Sequence, residues 1–353
     1  MNGHKKIKVL IVDDSQSIRR SLTMILEEDP RISVIGTAAD PYEAAKQIAV
    51  VVPDVITLDL EMPRMNGLTF LKKLMNQHPI PVVIVSSFTA GRRELGIRAL
   101  ALGAAGIVTK PRWDQPEEMR DLGMRLRDAV YAASMQNMTK HRAAREKQAD
   151  KKEAAAVVHY YNQGSANKLI LIGASTGGTE LISSILRSLR SDLPPILIVQ
   201  HMPGDFTGAF ANRLNAECSL TVKEAGRNEK LLNGHVYIAN GFFHLVVKKI
   251  ANEYVCDLAD GELVNRHRPS VDVLFKSASG LFPERQLMAI LLTGMGADGA
   301  RGLLELKQKG AICIAQDEES CAVYGMPREA VLMDAVNMIG SPGKIVEWMN
   351  NFA

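Results

Sequence analysis

Short, β-branched apolar runs recur along the chain, separated by segments whose apolar residues fall at helical spacing. That alternation predicts parallel sheets covered by helices. In the first half, Ile7–Val12, Ile32–Gly36, Val55–Leu58 and Val82–Val85, with a shorter run near Ile107, are the predicted strands. Between the first two, Ile18, Leu22, Ile25 and Leu26 line one helical face, and Ser15 is placed to cap that helix. Five strand–helix units in about 130 residues predict one flavodoxin-like domain.

The pattern then stops. From Ser134 to Glu153 the chain carries six Lys/Arg and three Asp/Glu with almost no large apolar residue, so it has no hydrophobic face to bury. Residues 131–167 are therefore assigned to a polar linker, between a first domain at 1–130 and a second at 168–353. The pattern restarts with a strand at Leu169–Ile172, a helix from about Thr179, a strand at Ile196–Gln200 and a helix over Phe206–Leu214. The runs Val236–Ala239, His244–Val247 and Tyr254–Leu258 are shorter and read as antiparallel, before strand–helix units resume at Leu287–Thr293 and Ala311–Ala315. The second domain is predicted to be a doubly wound, mostly parallel α/β fold with a β-rich insertion.

Composition narrows the classes. A chain of 353 residues, 46% hydrophobic and 23% charged, is an ordinary soluble protein with room for two cores. No apolar run approaches the roughly 20 residues of a membrane helix. Asp13 and Asp14 interrupt the opening apolar stretch, which argues against a cleavable signal. A cytoplasmic protein without membrane insertion is expected. The net charge of +3 is too small and dispersed to indicate nucleic acid. Cys218, Cys256, Cys313 and Cys321 show no C-x-x-C spacing and are expected to be reduced and packed.

Candidate chemistry gathers at the predicted strand ends. Asp13-Asp14 ends the first strand and Asp59 the third, so three carboxylates should converge on one sheet edge. Their repulsion is relieved by a hard divalent cation such as Mg²⁺. Ser86 ends the fourth strand and Lys110 follows the fifth, adding a hydroxyl and an ammonium. This set suits phosphoryl transfer onto Asp59, with Mg²⁺ and Lys110 neutralising phosphoryl oxygens and Ser86 hydrogen-bonding the product.

In the second half, Gly173-Ala-Ser175-Thr-Gly177 lies between a strand and a helix. It fits the G-x-S-x-G turn that lifts a serine clear of a sheet. Backbone N–H groups of that turn, Thr176 included, face a developing oxyanion. A dinucleotide site would need G-x-G-x-x-G and an acid about 20 residues on, and here the next strand ends in Gln200-His201. Asp298 follows the strand at Leu287–Thr293. Ser175, His201 and Asp298 therefore form a candidate triad. Their order, Ser–His–Asp, differs from that of the α/β-hydrolases. His235, His244 and His267 compete for the base, and Asp298 could instead cap a helix beginning at Gly299.

These motifs carry a family resemblance. V-D-D-S at 12–15, D-L-E-M-P-x-M-N-G at 59–67, S-S at 86–87 and T-K-P at 109–111 resemble a response-regulator receiver domain. The resemblance implies phosphorylation of Asp59 by a chemotaxis histidine kinase, with Asp13, Asp14, Asp59 and the Glu61 carbonyl around Mg²⁺. Ile107 stands where many receivers carry an aromatic switch residue. In the second half, L-I-G-A-S-T-G-G at 171–178, V-Q-H-M at 199–202, R-H-R-P-S-V-D-V-L-F at 266–275, L-T-G-M-G-x-D-G at 292–299 and A-Q-D-E-x-S at 315–320 resemble chemotaxis protein-glutamate methylesterases. That implies a Met295 N–H in the oxyanion site, methyl-accepting chemoreceptors as substrates, glutamine deamidation as a second activity, and no cofactor for the esterase step. It also implies that the receiver obstructs the esterase until phosphorylated. Two alternatives stay open: a hydrolase for another ester or amide, and a non-enzymatic response regulator. A DNA-binding version of the latter would need a basic recognition helix, which the sequence lacks.

Overall fold

In each half a parallel sheet reverses its strand order near the middle, and the candidate residues sit just beyond that point. The computed structural model describes residues 6–62, 65–86, 90–110, 116–136 and 167–352. The stretch 137–166, within the expected linker, lies outside them, as do motif residues Pro63, Ser87 and Pro111. The described residues belong to two compact units.

The first unit has strands β1 (Ile7–Val12), β2 (Ile32–Ala38), β3 (Val55–Leu58), β4 (Val82–Ser86) and β5 (Gly106–Thr109), ordered β2-β1-β3-β4-β5. All four pairings are parallel. This is the flavodoxin-like order expected from the alternating pattern. Helices α1 (Gln16–Glu27), α2 (Pro41–Val50), α3 (Gly67–Gln77), α4 (Ala90–Ala101) and α5 (Pro116–Ser134) connect and cover the strands. The Ser15 hydroxyl accepts the Ile18 N–H at 3.5 Å, and α1 buries Leu22, Ile25 and Leu26 against Val9, Ile11 and Val55. Helix α5 runs into the segment read as linker, with Ala132 and Ala133 buried.

The second unit is built on a seven-stranded sheet. Its strands are β6 (Leu169–Ala174), β7 (Ile196–Gln200), β8 (Thr221–Glu224), β10 (His235–Ile238), β13 (Leu287–Leu291), β14 (Ile312–Gln316) and β15 (Met338–Gly340), ordered β15-β14-β13-β6-β7-β10-β8. Every pairing in it is parallel. A separate antiparallel sheet holds β9 (Glu229–Lys230), β11 (His244–Ile250) and β12 (Glu253–Ala259). The helices are α6 (Gly178–Arg187), α7 (Gly204–Glu217), α8 (Val271–Ser277), α9 (Ala300–Gln308), α10 (Met326–Leu332) and α11 (Pro342–Asn351).

The expectation for Val236–Ala239 needs correction. This run is not part of the antiparallel insertion: as β10 it pairs parallel with both β7 and β8. Val236, Tyr237 and Ile238 are all buried, the continuous burial of a central parallel strand. Its crossover from β8 passes through β9 in the other sheet, and a link that short resembles a hairpin in sequence.

Candidate active site

In the first unit, adjacent β1 and β3 end level with each other, Val12 opposite Leu58. Asp13, Asp14 and Asp59 therefore meet, one oxygen from each lying within 4.8 Å of the others. Lys110, arriving from β5, places its ammonium 2.6 Å from Asp13 Oδ2 and 2.7 Å from Asp59 Oδ2. Its backbone N–H donates to the Ser86 carbonyl at 2.8 Å, which fixes Ser86, buried at the end of β4, beside it. Burial pushes the Asp13 carboxyl above its usual range, Lys110 pulls it back, and the Asp59 charge adds to the rise. Asp14 is exposed, and a cavity of about 360 Å³ lined by Asp14, Leu60, Glu61, Met62 and Asn66 opens beside it. The Glu61 N–H approaches Asp59 Oδ1 at 3.4 Å. All-oxygen donors with one open side fit a hard divalent cation.

In the second unit, β6 lies between β7 and β13. Ser175 follows β6, His201 follows β7, and the loop carrying Met295 and Asp298 follows β13. Ser175 N–H donates to Thr293 O at 2.9 Å and His201 N–H to Ala174 O at 3.0 Å. The Gln200 side-chain amide donates to both the Ser175 and the His201 carbonyls, at 2.9 and 3.1 Å. Gly294 backs directly onto the serine: a Cβ there would lie 2.7 Å from Ser175 Cβ. That close approach brings the loop that carries Met295 up to the Ser175 turn.

His201 Nε2 bonds Asp298 Oδ2 at 2.9 Å, both side chains being almost wholly buried. The other ring nitrogen, Nδ1, is buried without a hydrogen-bond partner among the described residues. With Nε2–H donating to the carboxylate, the neutral ring carries its lone pair on Nδ1. Asp298 caps a helix, though not the one after it. Its carboxylate accepts the N–H groups of Val271 (2.7 Å) and Asp272 (3.2 Å) at the start of α8, the Ser270 hydroxyl (2.7 Å) and the Asn265 amide (2.7 Å). Burial alone would push this carboxyl up. The hydrogen bond and charge of His201, with the Asn265 and Ser270 bonds, more than offset it and hold Asp298 well below the usual carboxylate range.

The approach of α8 depends on Gly173, the fifth residue of β6. Any Cβ there would lie 2.2 Å from Val271 Cγ1, so only glycine lets the first residue of α8 sit on β6 with its N–H aimed at Asp298.

The competing histidines have other partners. His244 is buried, its Nε2–H donating to Glu262 O at 2.8 Å and its Nδ1 accepting the Ser270 N–H at 3.2 Å. His235 Nδ1 donates to Asn233 O at 3.0 Å. His267 stacks on His201, ring centroids 3.7 Å apart and planes 13° from parallel. Sequence reasoning named His267 only as a rival base and missed Asn265 and Ser270. R-H-R-P-S was the available signal, but nothing in its spacing points back to a strand end far away in the chain.

The response regulator receiver domain model matches residues 9–122, and the CheB methylesterase model matches residues 170–349. The chain belongs to the CheB methylesterase family. Among its relatives, the protein-glutamate methylesterase/protein-glutamine glutaminase of group 3 operon of Rhodopseudomonas palustris is 48% identical over 98% of this chain and 96% of that one. Protein-glutamate methylesterase/protein-glutamine glutaminase 3 of Geobacter metallireducens is 47% identical over 93% of both. The CheB methylesterase catalytic domain of Thermotoga maritima, a crystal structure, is 36% identical with a TM-score of 0.52, covering 53% of this chain and all of that one. No helix among the described residues is long and apolar enough to cross a membrane.

Proposed function

We propose that this CheB methylesterase hydrolyses glutamate γ-methyl esters on chemoreceptors, releasing methanol, and deamidates particular receptor glutamines by the same route. Ser175 Oγ attacks the ester carbonyl while His201 Nδ1 takes its proton. The tetrahedral oxyanion is met by the Thr176 and Met295 N–H groups, and methanol leaves with the proton from His201. Water, deprotonated by the same nitrogen, then frees glutamate from Ser175. With a glutamine substrate, ammonia is the first leaving group. Asp298 holds the ring and stabilises the imidazolium. The observation that carries this reading is the buried His201 Nδ1, without a partner among the described residues, on a ring whose Nε2 is fixed by the Asp298 carboxylate.

The same proposal makes Asp59 the phosphoryl acceptor from a cytoplasmic histidine kinase. Asp13, Asp14, Asp59 and the Glu61 carbonyl would hold Mg²⁺, which neutralises phosphoryl charge. Lys110 and Ser86 take the remaining phosphoryl oxygens. Phosphorylation of Asp59 then regulates the esterase.

Methanol release from methylated receptor membranes tests the reading. Ser175→Ala and His201→Ala should each lose most turnover, and the double variant little more, because such residues act as a unit. Near wild-type turnover by folded Ser175→Ala would sink it.

A further inference from the structure

The turn that carries His267 also carries a side chain aimed at the triad. Val264 and His267 form an antiparallel bridge, with N···O distances of 3.1 and 2.9 Å. The two residues between them, Asn265 and Arg266, have φ of 52° and 67°. Two successive left-handed residues in a two-residue loop mark a type I′ turn, where asparagine is favoured. From this turn the Asn265 amide reaches inward. Its nitrogen donates to Asp298 Oδ1 and to Asp272 Oδ2, each at 2.7 Å. Both carboxylates are buried, at 2% and 1% exposure, while Asn265 itself lies on the exposed side. Asp272 Oδ1 is taken by the Gly302 N–H at 2.7 Å.

We propose that Asn265 is a positioning residue for the methylesterase reaction: its amide bridges Asp298 and Asp272 and fixes the carboxylate that orients His201. This rests on the triad reading given above. An amide nitrogen offers two hydrogens and no charge, which is what two facing buried carboxylates need. A hydroxyl offers one hydrogen, and a carboxylate would add a third negative group. The same turn lays His267 against His201, so one local structure sets both the acid and the ring of the base. The other titratable groups facing Asp298 are His201 after β7, His267 in the turn, Asp272 on α8, and His244 on β11 acting through Ser270.

The test compares Asn265→Gly and Asn265→Asp with wild type and with Ser175→Ala in the full-length protein. Glycine keeps the left-handed backbone and deletes the amide, whereas aspartate keeps the shape and replaces the donor with charge. The readouts are kcat, KM and the pH profile of kcat/KM for methanol release, with thermal melting alongside. Loss of a charge-assisted bond predicts a fall in kcat of about tenfold or more, with KM nearly unchanged. Less of the Asp298 charge is then neutralised, so His201 keeps its proton to higher pH. The acid limb should move up in both variants, and further in Asn265→Asp. A wild-type rate and limb in Asn265→Gly would overturn the proposal, and so would a slower rate with a lowered melting temperature and an unmoved limb. Turnover surviving in Ser175→Ala would instead reject the triad itself.

Discussion

Asp298 serves two kinds of partner at once, and its substitution should register in stability as well as turnover. Asp298→Ala would leave the Ser270 hydroxyl and two N–H groups of α8 without their acceptor, and would take from the Asn265 amide one of its two. Each unsatisfied buried donor costs about 1–3 kcal/mol, so urea unfolding of the methylesterase unit should show a loss of several kcal/mol. The pH dependence has a definite sign. The native carboxyl lies below its unfolded value, so its contribution is fully present above the unfolded value, near 4. It is lost progressively as pH falls below that. The stability gap between wild type and Asp298→Asn should therefore be widest near neutrality and narrow below about pH 4, and a gap that widens in acid would contradict the assignment. The placement of Ser175 and His201 on one sheet edge was legible because each directly follows a parallel strand, and that of Asp298 because its loop follows a third. Asn265 and Ser270 were not, because they reach Asp298 through a turn and a helix start that only tertiary packing brings there.

At the scale of elements, α8 is held against β6 by a single missing side chain. Gly173→Ala should force Val271 away, at about 1–3 kcal/mol for overpacking, and should lower turnover because the α8 N–H groups leave Asp298. Val271→Ala in the same chain makes room for the new methyl. A double-mutant cycle on melting and kcat should then show strong positive coupling. Additive losses would mean the two side chains do not contact as described. Most strands of the three sheets were legible from their β-branched runs, and β1, β3 and β7 match their expected limits. The very short β9 and β15, and β8, whose residues are mostly polar or half-buried, gave little apolar signal. Strand β10 was recognised as a strand but assigned to the wrong sheet, because pairing direction depends on where the chain goes between strands, and apolar periodicity does not encode that.

For the whole molecule, two compact units with separate cores should melt in separable calorimetric transitions. A ligand stabilises only the unit that binds it. Mg²⁺ at a hundredfold its Kd should strengthen the receiver by about 2.7 kcal/mol and leave the methylesterase transition where it was. Asp14→Ala should abolish the Mg²⁺ response, and a fragment of residues 167–353 should reproduce the unresponsive transition alone. A shift of both transitions by Mg²⁺ would contradict the assignment of the cation to the Asp13, Asp14 and Asp59 cluster. Strand order also bears on how the second unit is made. β6 emerges from the ribosome first of the seven strands, yet one of its two neighbours is β13, where Leu169 pairs with Leu287. Until more than a hundred further residues have been synthesised, the strand that leads into Ser175 has an open, wholly apolar edge. The unit thus passes through a long interval in which it is prone to aggregation, and slowing synthesis between residues 200 and 287 should increase its dependence on chaperones.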